Sequence, residues 1–383
     1  MTTLGFIRLI RPLKWSLTGA LALALAACGG SDDINTSTAL RASMSGDQEN
    51  LPTVSGASGV GTLSLELPSR NVSGSITLDG MTATAAHVHT GDSGVNGPII
   101  ITLAETAPGT WTVPAGSSLT EAQASAFSAG GLYFNAHNAA FPTGEIRGQI
   151  GRDVFAAQLT SAQEVPANAS TATGTGFLSL DPVTRRFSAR ITLTGIAATM
   201  AHIHPGAVGA NGAFIFPLSE TAAGSGIWVS AADATLSEAQ VASLRAGGLY
   251  FNAHSAALPG GEIRGQIGRS VRFATLSGAA EVPANASTAT GTGSLVVDPA
   301  TRAASGSITL TGMTATAAHI HVAAVGVNGP VIVPLTNTSA NVWSVPAGTL
   351  LTVAQLLAYK QGNLYYNAHS VAFTGGEIRG QIR

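Results

Sequence analysis

The feature that most constrains this chain is a long internal repeat. A His-x-His pair occurs three times, and each pair is followed about fifty residues later by Asn-Ala-His. The sets are His87, His89 and His137; His202, His204 and His254; and His319, His321 and His369. Together they account for all 9 histidines of the chain. The first His of a set recurs after 115 and then 117 residues, and the text around it recurs too: EVPANASTATGTG stands at 164–176 and again at 281–293. Solenoid units run about 20–50 residues, so a period this long is a whole domain. It matches ordinary domain size and suffices for a separate core. Three tandem domains are expected, over residues 39–151, 152–269 and 270–383.

Each repeat reads as antiparallel β-structure. Phe177–Leu180 and Phe187–Leu193 are apolar runs around an Asp181-Pro182 turn, and Asp298-Pro299 stands at the same place in the third repeat. Pro presets φ and Asp bonds its own backbone, so the dipeptide starts turns. Short strands at regular spacing predict an all-β sandwich or barrel. In a strand, residues two apart share a face. Both imidazoles of each His-x-His therefore project together, while Val88, Ile203 or Ile320 packs behind. The Asn96-Gly97, Asn211-Gly212 and Asn328-Gly329 pairs that follow predict tight turns with positive φ. One short helix per repeat is expected. Thr120–Gln123, Ser237–Gln240 and Thr352–Gln355 fit capping boxes, with Gly130, Gly247 and Gly362 as terminators. Trp111, Trp228 and Trp343 recur 24–26 residues after each first His and read as core residues.

The first 27 residues stand outside this pattern. Arg8, Arg11 and Lys14 precede an apolar stretch, Leu17–Ala27, too short to cross a membrane as a helix. It ends Leu25-Ala26-Ala27-Cys28, which resembles a bacterial lipobox, and Cys28 is the only cysteine. The resemblance implies a signal peptide over 1–27 and lipidation of Cys28. It also implies a tether over 28–38 and residence in a bacterial cell envelope. Gly29 after the cysteine implies the outer membrane. Removing residues 1–27 leaves 15 basic against 20 acidic residues, with Lys360 the sole lysine. No basic patch is present, which argues against nucleic acid as a partner. The partners expected are the membrane, through the anchor, and a surface protein or glycan.

Four segments together resemble the CHRD (chordin-type) domain: Ala-His-Ile-His, the Gly-rich loop to Asn-Gly-Pro, Tyr-x-Asn-x-His, and Gly-Glu-Ile-Arg-Gly-Gln-Ile. The likeness covers residues ~40–383, Glu164-Val165-Pro166 and Glu281-Val282-Pro283 included. It implies three immunoglobulin-like β-sandwiches with a suggested similarity to copper–zinc superoxide dismutase. There are departures. The first repeat has Glu49-Asn50-Leu51-Pro52, the second lacks the Pro after Asn211-Gly212, and the third has Val322-Ala323-Ala324 after its pair. The loops vary while the His trio does not.

Three imidazoles suffice for a metal site, and zinc or copper is the ion expected. Asn135, Asn252 and Asn367 lie two residues before the third His and are candidates to orient an imidazole. Glu145, Glu262 and Glu377 are candidates for a fourth ligand or an acid/base, although a Glu-x-Arg ion pair with Arg147, Arg264 or Arg379 is the favoured reading. A copper–zinc dismutase needs more imidazoles than one domain supplies. No Gly-x-Ser-x-Gly elbow supports a serine hydrolase. No catalytic residue is assigned. The leading expectation is a non-catalytic metal-binding module, repeated for avidity. A structural or interaction module with architectural histidines, and a weak metal-dependent enzyme, remain the alternatives.

Overall fold

A computed structural model of the protein describes residues 36–383. The expected signal peptide, Cys28 and most of the tether lie outside those residues. The last three tether positions, 36–38, belong to the first strand instead.

The first domain contains β1 (Thr36–Ser45), β2 (Ser58–Leu67), β3 (Val72–Asp79), β4 (Ala85–Thr90), β5 (Ile99–Thr102), β6 (Ala104–Ala107) and β7 (Thr110–Thr112). The helix α1 (Glu121–Ala129), β8 (Leu132–His137) and β9 (Ile146–Gln149) complete it. All strand pairs are antiparallel, in the order β5-β4-β8-β9-β1-β2-β3-β7-β6. Between β1 and β9 the sheet narrows to one pair, Ser45 opposite Arg147. The sheet therefore divides into two sandwich-like halves. On the other side the halves join at Leu103, which bends the chain from β5 into β6 while its N–H bonds Ala86 O. The second domain has one unbroken strand there, Phe216–Glu220, which pairs with both neighbours and closes an eight-stranded barrel. The third domain repeats the arrangement of the first.

Alternation of side chains decides which face is core. Ala86 and Val88 of β4 meet Leu132, Phe134 and Ala136 of β8 in a cluster that also holds Ile76, Trp111 and Phe127. Burying a side chain of the Val or Phe class is worth about 1.5–3 kcal/mol. Gly61 makes room for this packing, because a Cβ there would lie 2.6 Å from Ile76 and 2.9 Å from Phe134. Trp228 and Trp343 occupy the matching cores of the other domains, as expected. The helices also form where the capping boxes place them. Thr120 accepts from the Gln123 N–H, Gln123 reaches back to the Thr120 N–H, and Gly130 ends the helix at φ 73°. Asp181 Oδ1 caps the turn through the N–H groups of Val183 and Thr184, and Asp298 does the same with Ala300 and Thr301.

One turn expectation fails. The positive φ angles of the loop after β4 fall on Gly91 (148°) and Gly94 (77°), not on Asn96-Gly97. Glycine is needed at 97 for close approach: a Cβ there would sit 1.6 Å from Thr90 O. The same contact recurs at Gly212 against Pro205 O and at Gly329 against Val322 O, both at 1.9 Å.

Candidate metal centre

The register between β4 and β8 assembles the histidines. His87 lies opposite Asn135, His89 opposite Tyr133 and Ala85 opposite His137. The alternation that sends Ala86, Val88, Phe134 and Ala136 into the core sends His87, His89, Tyr133, Asn135 and His137 to the outer face. There the loops after β4 and β8 cover them. One ring nitrogen from each member of a trio lies within 4.8 Å of the other two in all three domains.

Backbone carbonyls fix the tautomers. His89 Nδ1 lies 3.0 Å from Gly97 O and His137 Nδ1 lies 3.2 Å from Pro142 O. A carbonyl oxygen only accepts, so both Nδ1 atoms carry the proton and both Nε2 atoms present lone pairs. His87 Nδ1 is 3.2 Å from His137 Nε2. At this distance His87 Nδ1 can donate to the Nε2 lone pair; the spacing also matches the ~3.3 Å between ligand nitrogens of tetrahedral zinc with bonds of about 2.0–2.1 Å. The second domain repeats the pattern, with His202–His254 at 3.2 Å, His204 on Gly212 O at 2.8 Å and His254 on Pro259 O at 3.0 Å. The third has His319–His369 at 3.2 Å, His321 on Gly329 O at 2.9 Å and His369 on Thr374 O at 3.0 Å.

One atom of each set is left over. Nε2 of His89, His204 and His321 is buried and has no hydrogen-bond partner. Leaving a buried polar atom unpaired costs about 1–3 kcal/mol. Burial pushes the imidazoles of His87, His89, His137, His202, His204, His254, His319 and His321 below the usual histidine range. Neighbouring imidazoles add to the effect at His87, His202 and His319. These rings are therefore neutral near pH 7, the form that binds metal.

A stack that motif reading missed holds the middle ligand. His89 lies on Tyr133 with ring centroids 4.8 Å apart, and the Arg147 guanidinium lies 3.5 Å over that Tyr133 ring. Arg147 is 1 % exposed and donates to the carbonyls of Asp92 and Val95 and to Gln149 Oε1. Tyr133 Oη accepts from the Gly97 N–H at 3.1 Å. Arg147 and Tyr133 thus hold the loop whose Gly97 carbonyl orients His89. His204–Tyr250–Arg264 and His321–Tyr365–Arg379 are the counterparts. The signal was in the sequence, since Tyr-x-Asn-x-His and Glu-Ile-Arg recur with the trio. The favoured Glu-x-Arg ion pair does not form. Instead Glu145 accepts from Ser55 Oγ at 2.7 Å and from Asn138 Nδ2, while Glu262 and Glu377 accept from Ser170 and Ser287 at 2.7 Å. None of these glutamates belongs to the imidazole groups.

Asn135, Asn252 and Asn367 face the site but point their amides at buried carboxyls from the domain starts. Asn135 Nδ2 donates to Glu49 at 3.5 Å, Asn252 to Glu164 at 3.0 Å and Asn367 to Glu281 at 2.8 Å. Glu49 keeps this role although the Glu-Val-Pro text is altered in its repeat. Burial pushes the Glu49 and Glu164 carboxyls up to about 7, and raises Glu281 as well. The three sites differ at their rims. Phe214, next to the Ala213 that stands in place of the proline in the second repeat, stacks on His202 with centroids 4.6 Å apart.

No curated protein and no solved structure matches the chain. The CHRD domain matches residues 40–150, 155–267 and 272–382. The chain belongs to the CHRD domain family and carries that domain three times in tandem.

Proposed function

We propose that this protein is a non-catalytic metal-binding protein of the cell envelope, holding one copper or zinc ion per domain on three imidazoles. The ligands are His87 Nδ1, His89 Nε2 and His137 Nε2, with His202, His204 and His254, and His319, His321 and His369, as their counterparts. The observation that carries the reading is the buried Nε2 of His89, His204 and His321, left without a partner in every domain. A ligand must keep its lone pair free, and a ring nitrogen from each of the other two histidines of the set lies within 4.8 Å of it. Asn135, Asn252, Asn367, Glu145, Glu262 and Glu377 support the surrounding loops and do not ligate. A lipid anchor at Cys28 would tether the modules at the membrane, where three sites on one chain raise the local density of binding groups.

Equilibrium dialysis against copper or zinc tests the proposal. About three equivalents should be retained, and His89→Phe, His204→Phe and His321→Phe should each remove one. Retention that is indifferent to these changes would leave the histidines as scaffold.

A further inference from the structure

Imidazole by itself serves both zinc(II) and copper, so the choice of ion falls to the surroundings. Two features of the surroundings bear on charge. First, among the described residues each ligand group consists of histidines alone, with no carboxylate or thiolate in it. A bound ion would keep its full charge. Second, a guanidinium is fixed two rings away from the middle ligand, as Arg147 over Tyr133, Arg264 over Tyr250 and Arg379 over Tyr365. These arginines are at most 2 % exposed, and none takes part in an ion pair among the described residues. Their hydrogen bonds go to carbonyl and amide oxygens.

Resting on the reading that the trios hold metal, we infer that they select monovalent copper over zinc(II). A buried cation repels a dication twice as strongly as a monocation. At an effective dielectric of about 20, one extra unit of charge some 10 Å away is worth about tenfold in affinity. Coordination acts in the same direction. Zinc completes a tetrahedron with a water, whereas monovalent copper is satisfied by three nitrogens. The domains should differ in degree. Each arginine faces one buried carboxyl, Glu49, Glu164 or Glu281, so that contribution is common to the three domains. Arg147 alone also has Asp92, in the loop it holds, where the other domains have Ala207 and Ala324.

The test is anaerobic competition on the full chain. One titration sets copper(I) against a colorimetric copper(I) chelator, and the other sets zinc(II) against a chromophoric zinc chelator. Copper(I) should be held more tightly at all three sites. Ala207→Asp with Ala324→Asp copies the residue the first domain already carries, so the fold should tolerate it. It should shift the zinc-to-copper affinity ratio toward zinc by about fivefold at those two sites. Zinc held more tightly than copper(I), or a ratio unmoved by the two aspartates, overturns the inference and leaves the metal reading standing. Retention of neither ion overturns both.

Discussion

Replacing His89, His204 and His321 together by Phe separates a ligand from a scaffold by the size of its effect on the metal-free protein. Phe keeps a planar ring on Tyr133, Tyr250 and Tyr365, so the stacking, worth about 0.5–1.5 kcal/mol, survives. Each change deletes one bond to Gly97, Gly212 or Gly329, about 1 kcal/mol net. It also deletes the buried Nε2 that lacks a partner, relieving about 1–3 kcal/mol. The larger ring adds a packing penalty of about 1 kcal/mol. Without metal these contributions cancel to within about 1 kcal/mol per domain. With metal at a hundred times its Kd, the unmodified protein gains about 2.7 kcal/mol per site and the variant gains nothing. Urea unfolding near pH 7.5, with and without metal, reads both quantities. A metal-free variant destabilised by more than about 3 kcal/mol per domain would refute the reasoning, because the rings would then be structural.

Other outcomes follow from the same contacts. Glu49→Gln should stabilise the first domain above pH 7 and flatten its pH dependence. The folded carboxyl holds its proton to about 7, so stability contributed by the protonated form is full below about 4.5 and is lost as pH rises through about 7. Urea midpoints at pH 5 and 8 for both proteins check this. The lowered imidazoles act oppositely: below about 6.5 the unfolded chain takes up protons that the folded one refuses, so acid should destabilise the protein and release its metal. Metal retained on dialysis from pH 7.5 to 5 measures that loss. Gly144→Ala should cost at least about 3 kcal/mol, because φ is +129° and the new Cβ would meet Asn135 and Glu49 at 2.6–2.8 Å. Gly116→Ala, with φ +82° and nothing within 4 Å, should cost only about 1 kcal/mol in the same unfolding assay.

Much of this architecture was legible because it rests on local chemistry. The period gave the number of domains, and the capping boxes at Thr120, Ser237 and Thr352 gave the helices. The two-residue alternation also put His87 and His89 on one face. Other features depend on partners far apart in the chain. Arg147 looked like the partner of Glu145 because the two are neighbours in sequence. In the fold Ser55 takes the glutamate, and the loop carbonyls at 92 and 95 take the arginine. Glu49 and Asn135 meet across 86 residues. Gly97 looked like a turn residue, yet the approach of the Thr90 carbonyl explains it. Such pairings are set by register, which a single repeat unit does not spell out.

The central claim is that three imidazoles per domain hold a metal, and X-ray absorption of the copper- or zinc-loaded protein addresses it directly. The account predicts a first shell with about three imidazole nitrogens per ion at about 2.0 Å, with imidazole scattering lost when His89, His204 and His321 are replaced. A shell of oxygens without imidazole scattering, or one unchanged by those replacements, would contradict it.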